Sequence, residues 1–517
     1  MKRSENRGWR KFALLSWYTI LLACIAVWIV CSIPGLINPI TEHPYWTMAV
    51  LAEVYFLICF YVVGWKKKRD TETCLKLIIL AGLLIRIAYV LLTGYHVSPH
   101  DLGKFAGFDS DTIKGGHLGY VEYLYKNRHF PDFDPRDRWG YGNPPAFYVL
   151  SANVLGITRA YNVEAPLCYE SMQILPLLFS CLTLLAMYRI LKEFSIRGKW
   201  LILLTAIISF HPFFMIMAGT ANNDGMMMYF VTLSVLYTIR WWKNPVLKEI
   251  LKIALALGIA MCTKINAATI SVGIGAVFLS MFWQQRKDWK RFILQFAAFL
   301  VICAPLGLAW PIRNLIQFDT PLTYIQRLSP VGSGDQYITD VSAILRLGIP
   351  SLKQCAYPFM TLDPALETNI WVQTLRTSLF DEIRKGTELF TVSASLLLWV
   401  NILLCVLMNL VFFWSIWKKE IIHKDMKLFL FLAYVVMVIA YAKFCMDETF
   451  VCTMNYRYIP IALLFPCIGT GLFAQHYQGK EDGKVRKGIT RGIALLQYTI
   501  LQFSILAVVV DICMILR

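Results

Sequence analysis

Apolar runs of eighteen or more residues recur from one end of the chain to the other, and no other feature restricts its fold as strongly. Such a run matches the hydrocarbon thickness of a bilayer, so the chain is expected to cross a membrane many times. At that depth a helix satisfies every backbone N–H and C=O within its own segment. The runs predict spans at 11–33, 46–64, 74–93, 167–191, 199–218, 225–242, 248–262, 266–283, 291–309, 390–416, 426–442, 456–474 and 489–516. The expected fold class is an all-α polytopic membrane protein, a bundle of about 13 transmembrane helices with a large first outer loop carrying interfacial helices.

Charge placement then sets the topology. The formal charge of +17 would point to nucleic acid in a soluble chain of 517 residues, but here 57% are hydrophobic and the mean hydropathy is +0.54. Lys and Arg gather in short segments between the apolar runs, at 2–11, 66–69, 189–199, 240–252, 286–291, 418–427 and 480–491. With the predicted spans every one of these falls on the same side, which is the positive-inside pattern. The expectation is a multi-pass plasma-membrane protein with a cytoplasmic N-terminus and no nucleic-acid partner. The N-terminal basic stretch and first apolar run lack a small-residue cleavage site, so they read as a retained span.

The same alternation sends the interval after the third span, segment 219–224, the Thr263-Lys264 break, interval 310–389 and loop 443–455 to the outer face. The first of these is unusual. About fifty residues over 96–145 exceed what a simple connection needs, and they hold His100, Asp101, Asp109, Asp111, His117, Glu122, Asp132, Asp134 and Asp137. Asp101 follows closely on a span end, where a lower dielectric would raise a carboxylate toward the range of a general base; a helix cap or solvated loop residue is the plain alternative. Asp109 and Asp111 read as caps before a helix over 112–125, and the Pro131–Pro135 run reads as turn chemistry. His117 and Tyr120, three residues apart on that helix, suit acceptor positioning. Segment 145–166 is too short to cross and reads as an interfacial amphipathic helix with Tyr148 as an aromatic anchor.

Lys264, Arg313 and Arg457 each lie at the outer end of a span, where burying a cation is costly without an anion. Snorkelling to the interface explains any one of them; three on one face suit a phosphate, with Arg as a bidentate donor and Lys as a point charge. The span at 248–262 is about 22 Å long against a core of about 30 Å, so Lys264 should sit in a cavity below the surface. Asp224 in Asn222-Asn223-Asp224 reads first as a helix cap, and the tract 377–382 as part of a cavity wall. The fourteen Cys show no CxxC and no metal-ligand spacing; Cys445 and Cys452 share one outer loop and are close enough in sequence to pair. GxxxxGK[ST], HExxH and GxSxG are all missing, which leaves ATPase, zincin and serine-hydrolase readings without an anchor.

Several of these stretches together resemble a known family. An acid after a span (Asp101), then Gly116-His117-Leu118 with Tyr120, Pro131-Asp132 and Pro144-Pro145 with Tyr148, is similar to the GT-C glycosyltransferases that use polyprenyl-phosphate sugars. Among them are the protein O-mannosyltransferases and the lipid A aminoarabinose transferase. Ala218-Gly219-Thr220-Ala221-Asn222-Asn223-Asp224, Thr263-Lys264, Trp310-Pro311-Ile312-Arg313-Asn314, Arg376-Thr377-Ser378-Leu379-Phe380 and Asn455-Tyr456-Arg457-Tyr458 extend the likeness over 74–474. The resemblance implies inverting transfer of a sugar from a polyprenyl-phosphate donor to a hydroxyl of a glycan, lipid or protein acceptor at the outer membrane face. It implies Asp101 as base, Lys264, Arg313 and Arg457 on the donor phosphate, and His100, His117, Tyr120, Asn223 and Tyr456 positioning acceptor or sugar. No cage of several converging carboxylates is evident in the sequence, so no obligatory cofactor and no metal ligands are expected, a divalent cation being the alternative electrophile. In two respects the chain departs from the family. The familiar Asp-Glu pair reads Asp101-Leu102, so Asp224 becomes the candidate second acid, and the core starts only at the third span. The implied domains are an N-terminal two-helix hairpin (1–73), a catalytic core (74–474, with outer loops 94–166 and 310–389) and a basic loop with the last span (475–517). The rival reading is a transporter or flippase of a lipid-linked or anionic substrate. It would favour matching halves with broken helices and midplane charges, whereas here the halves differ and the charges sit at span ends.

Overall fold

The computed structural model describes residues 2–94, 115–161, 163, 165–326, 338, 341–361, 363–478 and 484–517. They form an all-helical bundle with no strands among the described residues. Three helices open the chain: α1 (Lys2–Ser32), α2 (Pro34–Glu42) and α3 (Pro44–Cys59, continued by a π-turn to Trp65). α4 (Thr71–Leu92) is followed by α5 (Gly116–Asn127), α6 (Ala146–Ala160) and α7 (Ala165–Glu170). Then come α8 (Ile174–Glu193), α9 (Gly198–Phe210), α10 (Pro212–Gly219), α11 (Asp224–Lys243), α12 (Leu247–Thr263), α13 (Ser271–Gln284) and α14 (Trp289–Phe318). Four short helices, α15 (Ala343–Leu347), α16 (Leu352–Ala356), α17 (Pro364–Glu367) and α18 (Ile370–Phe380), precede α19 (Glu388–Trp417), α20 (Lys424–Asp447), α21 (Leu464–Tyr477) and α22 (Lys484–Ile515).

A helix occupies each of the thirteen predicted places, but not every one passes as a plain span. Among the described residues eight helices are long and apolar enough to cross a membrane, or ten if two bent pairs each count as one. The bends have local causes. α1 turns 89° into α2 at Ile33-Pro34, and α9 turns 40° into α10 at His211-Pro212, where proline pushes the preceding residue into an extended backbone and removes a helical N–H. The predicted span 456–474 starts late: Asn455 caps a 3-10 turn and Pro460 follows, so α21 begins only at Leu464.

Polar contacts sort the helix ends into two faces. On one, Glu193 accepts from Arg240 and Lys243, each at 2.8 Å, and Arg291 donates to the Pro245 carbonyl. Asp425 takes Trp242, Ser280 and Gln284 at 3.2, 2.6 and 2.8 Å, and the Arg197 amide donates to Gln475 at 2.7 Å. Four of the basic segments therefore meet on one surface, as the alternation required. On the opposite face Trp28 near the end of α1 donates to Thr158 of α6 at 3.1 Å, and Thr158 meets Ser171 at 3.2 Å. α6 thus lies across the ends of other helices rather than through the bundle, as a short interrupted segment should. Its Tyr148 corrects one expectation: the ring is fully buried, stacked on Tyr120 at 4.3 Å, and anchors α6 to α5 instead of to the interface.

Small residues and one buried cation hold the core. A Cβ on Gly258 of α12 would come within 2.9 Å of Leu306 on α14, and one on Gly307 within 3.0 Å of Met261. This close crossing fixes the α12 end that carries Lys264. Arg86 of α4 is buried and donates to Ser180 (3.0 Å) and to the Gly82 (2.7 Å), Ser209 (2.8 Å) and Ile208 (3.3 Å) carbonyls, tying α4 to α8 and α9. The cysteines of the described residues are all free; Cys445 is buried and its Sγ donates to the Thr453 carbonyl, so the pairing with Cys452 is not formed.

Candidate active site

α12 ends one turn short of a full crossing. Lys264 then adopts an extended backbone, and a 3-10 turn over Ile265–Ile270 leads into α13. This break aims the Lys264 side chain at the first turn of α11. Its Nζ lies 2.5 Å from Asp224 Oδ1, with the lysine 17% and the aspartate 2% exposed. Asp224 does not cap α11 with its side chain. It is the first helical residue, Asn223 occupies the cap position without a side-chain bond to the helix N-terminus, and Asn222 folds back instead. Asn222 Oδ1 accepts from the Asp224 amide at 2.9 Å while its Nδ2 donates to Asp224 Oδ2 at 3.1 Å. Asp224 is therefore the fixed counter-ion of Lys264.

Two further residues complete this cluster. Lys264 Nζ lies 5.0 Å from the centre of the Tyr458 ring, and the Arg457 guanidinium lies 5.1 Å from the same ring, so the two cations share one aromatic ring. Arg457 also donates to the Tyr458 hydroxyl at 3.3 Å. Its segment is bracketed by α18: Asn455 Nδ2 donates to Asp381 at 2.7 Å, and the Tyr456 amide to Thr377 Oγ1 at 3.0 Å. The tract 377–382, read from sequence as cavity wall, serves as the support for Arg457. Burial holds the Tyr458 phenol above its ordinary range, so the hydroxyl stays protonated beside the cations.

Asn223 Nδ2 donates to the Thr263 carbonyl at 2.9 Å, joining α11 to the end of α12. Its Oδ1 and that of Asn266 are buried acceptors with no donor among the described residues. A buried acceptor without a donor costs about 1–3 kcal/mol, which marks both as positions where a hydroxylated ligand would be favoured. Tyr456 is placed differently from Tyr458: its ring packs on Phe213 at 4.9 Å, and its hydroxyl donates to the Pro460 carbonyl at 3.3 Å. In this two-tyrosine motif it is Tyr458, not the candidate Tyr456, that meets the cations. The strict spacing of the motif gave no way to choose between them, because residues 455–458 turn as a 3-10 helix rather than as the start of a span.

Arg313 belongs to a neighbouring cluster. Near the end of α14 it donates to the Pro131 carbonyl and, at 2.8 Å, to Asn314 Oδ1, and it lies over Trp310 at 4.6 Å. Tyr120 and Asp132 are its electrostatic neighbours. Tyr120 sits between Tyr141 and Tyr148, and His117 Nδ1 lies 2.7 Å from the Tyr148 hydroxyl. Burial pushes the Tyr120 phenol well up, and its hydroxyl has no partner among the described residues. It is a protonated donor awaiting an acceptor. The Arg136–Asp134 fork, at 2.6 Å, also donates to the Phe318 carbonyl at 2.8 Å, clamping the outer loop onto α14. His100 and Asp101, with Asp109 and Asp111, lie outside the described residues.

Among the described residues no three His, Cys, Asp or Glu side chains converge as a metal-ligand set. Sequence reasoning missed Tyr458, Asn266 and Asn455 as parts of the cluster and read Thr377 and Asp381 only as cavity wall; Tyr458 and Asn455 lie within a motif quoted above, and Asn266 lies two residues beyond another. No curated protein sequence matches the chain. Residues 157–318, which include Asn223, Asp224, Lys264 and Arg313, match the model of the dolichyl-phosphate-mannose-protein mannosyltransferase family, a GT-C superfamily glycosyltransferase family, in agreement with the resemblance of the motifs.

Proposed function

We propose that this chain is an integral-membrane glycosyltransferase that moves a sugar from a polyprenyl-phosphate donor to an acceptor hydroxyl. One observation carries the reading beyond the family match: Lys264 and Arg457 flank the Tyr458 ring, and Lys264 is held in place by the buried Asp224. Such an arrangement favours a phosphate that gains charge as the sugar leaves, a preorganised contribution of about 3–4 kcal/mol per well-placed donor. The cluster is half-buried, where each interaction is stronger than in water. Arg313 assists from the neighbouring cluster through Tyr120, whose hydroxyl donates toward the acceptor or the sugar, with His117 holding Tyr148 behind it.

In this mechanism Asn223 and Asn266 accept hydrogen bonds from sugar hydroxyls. Asp224 keeps Lys264 oriented, which makes it a positioning residue rather than a second acid. The resemblance assigns proton removal to Asp101, with His100 beside it. The acceptor oxygen, once deprotonated, attacks the anomeric carbon in line with the departing phosphate, so the C–O bond to phosphate breaks as the new one forms and configuration inverts. The site face is the outer face of the plasma membrane, and the N-terminus is cytoplasmic. The positive charge supplied by side chains makes a divalent cation dispensable. The acceptor is a glycan, lipid or protein.

Purified protein in detergent, given radiolabelled polyprenyl-phosphate hexoses and membrane extract with EDTA present, is expected to label an extract component. Movement of the intact donor across liposomes without transfer would support the flippase reading instead. Absence of any labelled product for every donor sugar supplied, with the protein folded and donor bound, would overturn the proposal.

A further inference from the structure

A cleft of about 930 Å³ lies between α5 and α6, away from the Lys264–Arg457 cluster. Arg128, His129 and Arg159 line it together with Phe130, Asn153 and Ile157, and none of its lining residues is acidic. Lys126 takes Glu122 at 2.6 Å and Arg136 takes Asp134, whereas among the described residues Arg159 meets the rings of Tyr125 and Tyr169, the Tyr169 hydroxyl at 3.4 Å and the Cys168 thiol, and no carboxylate. Arg128 sits at the end of α5 with φ +57°, a left-handed position usually given to glycine, so an arginine there comes at a conformational cost. Beside the cleft, Leu150 and Ile157 of α6 are exposed, and α1, bonded to Thr158 through Trp28, turns Leu22, Ile25 and Ile29 outward.

We propose that this cleft binds the headgroup of an anionic glycerophospholipid, with its acyl chains lying along the exposed apolar side of α6 and α1. Two guanidinium forks and an imidazole suit a phosphodiester. The aromatic and apolar wall suits the glycerol backbone. A polyprenyl monophosphate offers the arginines a terminal phosphate but no glycerol backbone for the aromatic wall, so a two-chain phosphodiester lipid is the occupant that fits. The inference does not depend on the transfer reaction. It does connect to it, because Phe130 packs edge-on against Trp310 at 5.6 Å, the ring that carries Arg313.

The test is native mass spectrometry of the full chain in detergent with added phosphatidylglycerol, phosphatidylcholine or undecaprenyl phosphate. Wild-type protein is expected to retain phosphatidylglycerol at least five-fold more strongly than phosphatidylcholine. Arg128→Gly/Arg159→Gln is expected to remove that preference, the glycine suiting the left-handed backbone. Ala152→Glu keeps both arginines and every side-chain bond named above, adds a carboxylate to the cleft and should lower retention by a similar factor. Equal retention of the two phospholipids by wild type, or an unchanged preference in Ala152→Glu with its thermal midpoint intact, would overturn the proposal. So would loss confined to undecaprenyl phosphate.

Discussion

Lys264→Met separates the structural from the chemical role of the central ion pair. The change keeps the side-chain volume and leaves the Asp224 carboxylate 2% exposed with its lysine gone. Removing one partner of a buried pair costs about 3–5 kcal/mol. Because Lys264 is 17% exposed and Asn222 Nδ2 still donates to Asp224 at 3.1 Å, the lower end of that range applies, about 3 kcal/mol. Asp224→Asn alone should cost less, about 1–2 kcal/mol, since the amide is neutral and the stranded lysine reaches water. In Lys264→Met/Asp224→Asn no buried charge is left over, so the coupling energy should be at least about 2 kcal/mol and the double variant should return to within about 1 kcal/mol of wild type. Denaturant unfolding in mixed micelles supplies the four free energies. Transfer of labelled sugar, measured on the same preparations, should stay at least about 100-fold down in the double variant, because the phosphate has lost a donor. Additive free energies, or a double variant that regains transfer along with stability, would refute the assignment of Lys264 to the donor phosphate.

Three further outcomes are expected. Asp101→Asn should abolish transfer while donor binding by native mass spectrometry stays within about two-fold, as removing a base spares ground-state contacts; near-normal turnover would remove Asp101 as the base. Asn455→Ala breaks the 2.7 Å bond to Asp381 that holds the Arg457 turn, so transfer should fall about ten-fold or more with a fold loss of only about 1–2 kcal/mol; an activity loss no larger than the stability loss would argue against a positioning role. Gly258→Leu forces a side chain into a 2.9 Å approach to Leu306, and the strain of about 1–3 kcal/mol should appear as a lower thermal midpoint, which Leu306→Ala partly restores.

The chain's hydrophobic pattern alone determined a great deal. Runs of bilayer length can only become helices, so all thirteen places carry one, and basic segments far apart in sequence came out as neighbours around Glu193 and Asp425. The likeness to the mannosyltransferase family was legible too, in Asn222-Asn223-Asp224, Thr263-Lys264 and the other short motifs, because backbone breaks at span ends need particular residues in a particular order. What periodicity could not supply was which of several polar residues at one helix end faces which. That depends on rotation of each helix and on bends at prolines. The 40° turn at Pro212 and the late start of α21 after Pro460 are tertiary outcomes of this kind. Only the packing of α11, α12 and the 455–458 turn decided that Asp224 is the partner of Lys264, that Tyr458 rather than Tyr456 meets the cations, and that Arg313 stands with the α5–α6 cluster. Hydrophobic burial is set residue by residue along the sequence, whereas the meeting of opposite charges depends on several helices arriving together.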